Sequence, residues 1–211
     1  MMMENKSNNL DENSLKKVMS GTTTVGLIIT DGVVIGTESQ ATAGYMVATK
    51  QAQKLFEINL YTGATISGAV SDCQYVINQI IALSRLKLVE DAVVPEPKYV
   101  ANITRNILFS GRSYYISMMI VGGYSIKEKK GVLYGIDLLG TLFEEDKYIS
   151  FGSGSPFSLG VLEADWKQDM SKSEGIDLIK TAISASRERD AASGFHIQIC
   201  TIDKDGFEQI Q

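Results

Sequence analysis

With 211 residues, 44% of them hydrophobic and 21% charged, the chain is long enough for one domain with a sizeable core, and it has no run near the ~18 apolar residues that a membrane helix needs. Twenty Lys and Arg against twenty-five Asp and Glu give a net charge of -5 without a basic run or face, which argues against nucleic acid and membrane partners. The two cysteines, Cys73 and Cys200, each lie in an apolar segment and read as buried, reduced thiols of a cytoplasmic protein, not as a disulfide or metal framework.

Residues 1–21, MMMENKSNNLDENSLKKVMSG, form a polar, mixed-charge arm with no apolar h-region and no A-x-A site, so a secretory signal is not expected. At Gly21–Thr22 the arm gives way to strand-like sequence. TTTVGLIIT and VVIGTES, on either side of Asp31-Gly32, predict an antiparallel hairpin closed by a type I′ turn. Residues 54–70, KLFEINLYTGATISGAV, predict two strands around a turn at Thr62-Gly63. Residues 72–90 place Val76, Ile77, Ile80, Ile81 and Leu83 on one helical stripe, and 98–110 repeat the spacing with Val100, Ile103 and Ile107. Pro95 and Pro97 separate these helices.

YYISMMIVGGYS (114–125) and KKGVLYGIDLLGTLFEE (129–145) give further strands. Pro156 suits a helix N-terminus, and Ser171 with Glu174 forms a capping-box pattern before another helix. HIQICTI and GFEQI, joined through Asp205-Gly206, end the chain as a strand pair. Strands, two helices, strands, two helices, strands: this order predicts an α+β fold of two antiparallel sheets packed face to face, with a helix pair on each outer side.

The common catalytic signatures are absent. There is no G-x-S-x-G, no Walker A lysine motif and no H-E-x-x-H, and GSGSP (152–156) does not make a Rossmann loop. The lone histidine, His196, falls in a strand pattern and reads as structural rather than as the base of a Ser-His-Asp triad. One class of hydrolase needs no histidine, because the α-amine of an N-terminal nucleophile serves as base with a pKa of ~7.7–8. Such a nucleophile must be the first residue, which requires the arm to be removed. Gly21–Thr22, a small residue before a hydroxyl, is the place for that cut.

These residues also carry a resemblance. GTTTVGL (21–27), GTESQAT (36–42), KLF (54–56), GAVSDCQ (68–74), GSGSPFSLGVLE (152–163) and RDAASG (189–194) resemble segments of proteasome β subunits of the archaeal kind, and the match runs from Gly21 to about Ile210. The resemblance implies a four-layer αββα sandwich, an N-terminal nucleophile hydrolase, over 22–211, and a propeptide over 1–21 removed by self-cleavage. It implies Thr22 as nucleophile, Lys54 as a cation beside its oxygen, and Glu38 as the partner of Lys54 where many members have Asp. It implies Gly68 as oxyanion donor, with Ser153, Asp190 and Ser193 around the threonine amine. Substrate would lie as an added strand between the segments around Thr42 and Gly68, and Ala41, Ala52, Ile66, Val70 and Gln74 would line a pocket for a large hydrophobic side chain. No metal or organic cofactor is implied.

The implied partners are proteasome α subunits and other β subunits in stacked heptameric rings, a regulatory ATPase unfoldase and unfolded polypeptide. One departure is Ser39 and Gln40, where the family has basic residues and the bacterial ATP-dependent ring protease is closer. The alternatives are a structural β subunit that completes a ring without cutting, and that bacterial-type hexameric protease, which RDAASG fits less well.

Overall fold

The computed structural model describes residues 21–211; the arm, apart from Gly21, lies outside the described residues. The elements are β1 (Thr24–Ile29), β2 (Gly32–Glu38), β3 (Ala41–Ala43), β4 (Met46–Thr49), β5 (Leu55–Asn59), β6 (Thr62–Gly68), α1 (Val70–Asp91) and α2 (Pro97–Ser110). They continue with β7 (Ser117–Ser125), β8 (Lys130–Ile136), β9 (Leu142–Glu145), β10 (Tyr148–Phe151), α3 (Ser155–Asp165), α4 (Lys172–Arg187), β11 (Ile197–Asp203) and β12 (Gly206–Gln209). One sheet runs β10-β1-β2-β11-β12, the other β5-β6-β7-β8-β9, and β3 pairs with β4 in a separate hairpin. Every pairing is antiparallel.

Three apolar clusters fill the spaces between four layers. Val25, Leu27, Ile29 and Val34 pack with Leu162 of α3 and with Leu178, Ile179 and Ile183 of α4. The opposite face of the same sheet turns Val33, Ile35 and Ile202 onto Ile120 and Leu133 of the second sheet. Beyond that sheet, Ile66, Met119, Val121 and Tyr134 meet Val76, Ile77 and Ile80 of α1 and Val100 and Leu108 of α2. Because both faces of each sheet are covered, successive residues of β1 and β2 enter different cores and the strands read as nearly unbroken apolar runs. Each fully buried Leu or Ile contributes roughly 1.5–3 kcal/mol. The expected α+β sandwich is the observed fold.

Helix ends follow local chemistry. Pro97 occupies the first turn of α2 after the N-cap Glu96. At α4 the backbone N–H of Glu174 donates to Ser171 Oγ (3.3 Å) and that of Ser171 to Glu174 Oε2 (2.8 Å), the expected capping box. The α1 stripe buries Val76, Ile77 and Ile80 together with Cys73 and Ser84, while Ile81 and Leu83 are only half-buried. Cys73 and Cys200 are free, buried thiols.

The hairpin turns fall earlier than the glycines suggest. The chain reverses at Thr30-Asp31, Leu60-Tyr61 and Lys204-Asp205, and Gly32, Gly63 and Gly206 belong to the strands that follow. Thr30 and Asp31 do not take the positive φ of a type I′ turn. Gly32 serves close packing instead: a Cβ there would lie 2.1 Å from the Ile202 carbonyl oxygen on β11. At Gly63 it would meet Phe207 at 2.9 Å and Ile202 at 3.0 Å. Strand β10 and the β3–β4 hairpin carry no pattern of their own, being only four, three and four residues long. Among the described residues no helix is long and apolar enough to cross a membrane.

The two sheets approach closely where side chains are missing. A Cβ at Gly122 would lie 2.8 Å from Ile35 Cγ2 and 3.2 Å from Val33 Cγ2, both on the facing sheet. Gly122→Val therefore overpacks the inner core and is expected to cost about 1–3 kcal/mol in denaturant unfolding. An unchanged unfolding midpoint would contradict this packing.

Candidate active site

Thr22 and Thr23 precede β1 and are fully enclosed. The Thr23 carbonyl accepts from Thr37 Oγ1 (3.0 Å) and from the Glu38 N–H (3.4 Å), which continues the β1–β2 ladder past its end. The loop between β10 and α3 wraps the other side. Gly152 has φ +99°, and a Cβ there would lie 1.9 Å from the Thr22 carbonyl oxygen; one at Gly154 would lie 1.9 Å from Thr23 Oγ1. Only glycine allows this backbone so near the start of β1.

Around the Thr22 hydroxyl stand two groups. Lys54 Nζ donates to Thr22 Oγ1 at 2.9 Å, and Thr22 Oγ1 donates to the carbonyl of Gly21 at 2.7 Å. Lys54 Nζ also donates to Glu38 Oε1 at 2.5 Å, with both side chains almost wholly out of solvent. Burial pulls the Lys54 pKa below the usual lysine range, and the Glu38 charge and hydrogen bond oppose that pull. Glu38 is saturated: Oε1 also accepts from the Thr23 N–H (3.3 Å), and Oε2 from the N–H groups of Gln40 (2.6 Å) and Gly194 (3.0 Å). A carboxylate so supplied holds Lys54 Nζ in place against the Thr22 hydroxyl.

A second set surrounds the Thr22 nitrogen. Its N–H donates to Ser153 Oγ at 3.2 Å, and both Ser153 Oγ and Ser193 Oγ donate to Asp190 Oδ2 at 2.6 Å. Ser193 Oγ also lies 2.8 Å from Thr23 Oγ1. The structure thus gathers Thr22, Glu38, Lys54, Ser153, Asp190 and Ser193 in one place, although Thr22 and Ser153 are 131 positions apart.

Gly68 ends β6 with φ +134°, and a Cβ would lie 2.2 Å from the Ile116 carbonyl oxygen, so the turn into α1 requires glycine. A small cavity joins Thr22, Lys54 and Gly68 to Ala41, Ile66 and Val70, with Gly21, Gln40 and Ser67 completing it. Of the other expected pocket residues, Thr42 and Ala52 are half-buried and Gln74 is exposed, and these three lie outside its lining. His196 is exposed just ahead of β11, not within it, and its backbone N–H donates to Ser39 Oγ at 2.9 Å. Among the described residues no three His, Cys, Asp or Glu side chains are placed to hold a metal.

Sequence reasoning did not single out Thr23, Gly152 or Gly154 as parts of this site, and it treated Gln40 only as a departure. The glycine spacing in GSGSP was visible, but what each glycine approaches is settled by the fold.

Similarity to known proteins adds a second line. The family model described as "Proteasome subunit" matches residues 18–202. The chain is 40% identical over 201 residues to proteasome subunit beta 2 of Aeropyrum pernix, covering 95% of this chain and 89% of that one. It is 41% identical over 190 residues to proteasome subunit beta of Methanocaldococcus jannaschii, covering 90% and 84%. It is 37% identical over 202 residues to proteasome subunit beta 1 of Caldivirga maquilingensis, covering 94% and 97%. Likeness of this extent, running along nearly the whole sandwich, makes the chain a member of the proteasome subunit family, with archaeal β subunits among its relatives.

Proposed function

We propose that the chain is a catalytic β subunit, a threonine endopeptidase that frees its own nucleophile by cutting at Gly21–Thr22. The observation that carries this reading is the position of Thr22 Oγ1, 2.7 Å from the Gly21 carbonyl oxygen and 2.9 Å from Lys54 Nζ. The hydroxyl lies against the peptide bond to be broken, beside a cation that favours its deprotonation. Gly21 fits the same step, since a Cβ there would lie 2.0 Å from Ala192 Cβ and 2.4 Å from Ser153 Oγ.

In self-cleavage the Thr22 oxygen attacks the Gly21 carbonyl carbon and the C–N bond breaks. The acyl group passes to oxygen as an ester and the nitrogen leaves as the Thr22 amine. Water then hydrolyses the ester and releases residues 1–21. The freed amine stays where the Thr22 N–H was, beside Ser153 and within reach of the Asp190–Ser193 arrangement. With an ordinary pKa of ~7.7–8 it can take the hydroxyl proton through a water near neutral pH. Attack on a substrate carbonyl follows, with Gly68, which lines the cavity beside Thr22, as the backbone donor to the developing oxyanion. The protonated amine returns the proton to the leaving nitrogen, and a second water clears the acyl-enzyme.

Substrate binds as an extended strand between the main chain at Thr42 and at Gly68, so main-chain hydrogen bonds supply affinity independent of sequence and the pocket adds a preference. Ala41, Ile66 and Val70 give the cavity small apolar walls, with Ala52 and Gln74 farther out, which favours a large hydrophobic residue before the cut. Family members assemble into proteasome particles; here the assembly is a β ring stacked on α subunits, fed unfolded polypeptide by an ATPase unfoldase in the cytoplasm. A structural β subunit would have no use for this convergence of groups, and nothing observed favours that reading.

Thr22→Ala is expected to leave residues 1–21 attached and peptidase activity absent in assembled particles. Removal of the arm in fully substituted particles would contradict self-cleavage. Lys54→Met leaves Glu38 buried without its counter-ion, and is expected to abolish peptidase activity and destabilise the fold by about 3–5 kcal/mol. Wild-type turnover by that variant would exclude Lys54 from the chemistry. Peptide reporters ending in leucine or an aromatic residue should be cut faster than acidic ones; a preference for acidic residues would refute the pocket assignment.

A further inference from the structure

Gln40 is buried, 5% exposed, in the short link between β2 and β3. Both hydrogens of its amide are used: Nε2 donates to the Ala191 carbonyl (3.0 Å) and to Thr42 Oγ1 (3.0 Å). Its backbone N–H donates to Glu38 Oε2 at 2.6 Å, the oxygen that also accepts from Gly194. Gly194 makes room for the side chain, because a Cβ there would lie 2.5 Å from Gln40 Oε1.

The segment contacted, residues 189–194, belongs to no helix or strand, yet it carries Asp190 and Ser193. Its ends are secured by backbone bonds, Asp190 N–H to the Ser186 carbonyl (2.8 Å) and Ser39 N–H to the Gly194 carbonyl (3.3 Å). Ala191, next to Asp190, is secured by Gln40. From there the path to the nucleophile is short, through Asp190 Oδ2 to Ser153 Oγ and on to the Thr22 nitrogen.

We infer that Gln40 is a positioning residue: its neutral amide fastens the Asp190–Ser193 loop to β3 and thereby sets the groups around the Thr22 nitrogen. The inference rests on the catalytic reading above. Neutrality matters because the neighbouring carboxylates already have their hydrogen-bond partners. Glu38 on β2 is paired with Lys54 ahead of β5, and Asp190 is served by two hydroxyls. A carboxylate at this place would face the Ala191 carbonyl with no hydrogen to offer.

The test uses particles assembled with the α subunit. Gln40→Met keeps the length and removes both donors, and is expected to lower kcat about 10-fold. KM should change little, because substrate pairs with main chain. Gln40→Glu regains an O–H donor only when protonated. Glu38 and Asp190 hold the introduced carboxyl towards the protonated form and Lys54 opposes them, so its rate relative to wild type should climb as pH falls from about 8 to about 6. Wild-type kcat in Gln40→Met, or a ratio for Gln40→Glu that does not vary with pH, overturns the inference.

A readout free of turnover is amide hydrogen exchange of residues 189–194 in Thr22→Ala particles. Adding Gln40→Met should speed that exchange several-fold, by about the factor one or two lost hydrogen bonds imply. Unchanged exchange also overturns the inference. Wild-type particles without peptidase activity would instead overturn the catalytic reading, while the exchange result still decides whether Gln40 holds the loop.

Discussion

The buried pair of Glu38 and Lys54 is the constraint on which the rest of the site depends. Removing two opposite charges from water costs several kcal/mol per ion, and their attraction offsets that only when the remaining lone pairs find donors. Glu38 finds them on Thr23, Gln40 and Gly194, so the start of β1, the end of β2 and the loop before β11 all converge on one carboxylate. The contacts that satisfy that carboxylate also hold Lys54 beside the Thr22 hydroxyl. Lys54, held by that carboxylate, places Nζ 2.9 Å from the Thr22 hydroxyl.

On the proposed reading, one site serves two substrates. With the Gly21–Thr22 bond intact, the Thr22 nitrogen is an amide donating to Ser153 Oγ. On the proposed reading, cutting that bond turns the nitrogen into the base, beside the Ser153 and Ser193 hydroxyls and the Asp190 carboxylate. Around Thr22, Gly21, Gly152 and Gly154 leave no room for a side chain, since added Cβ atoms would collide with Ala192, Thr22 and Thr23. On that reading the same preorganisation applies to the peptide substrate.

Much of the fold was legible because its layers impose strong patterns. The unbroken apolar runs of β1 and β2, the α1 stripe through Val76, Ile77 and Ile80, and the Ser171–Glu174 capping box each have one local cause. The turns were misplaced because Gly32 and Gly63 serve the close approach of neighbouring strands, a demand made by tertiary contacts that no local rule contains. Strand β10 and the β3–β4 hairpin were missed because such short segments carry too little pattern. For the site, the hydroxyl after a glycine pointed to an N-terminal nucleophile, but Glu38, Lys54, Ser153 and Asp190 came from family likeness, not from spacing. Gln40 looked like a lost charge, and its role as a tether depends on Ala191, which only the folded chain brings beside it.

The central claim is that Thr22 becomes the first residue of a working subunit. Intact mass spectrometry of this subunit, taken from particles assembled with its α partner, tests that directly. The account predicts the mass of residues 22–211, with the arm gone. A full-length mass in closed particles would contradict it and leave the groups around Thr22 without a free amine to serve.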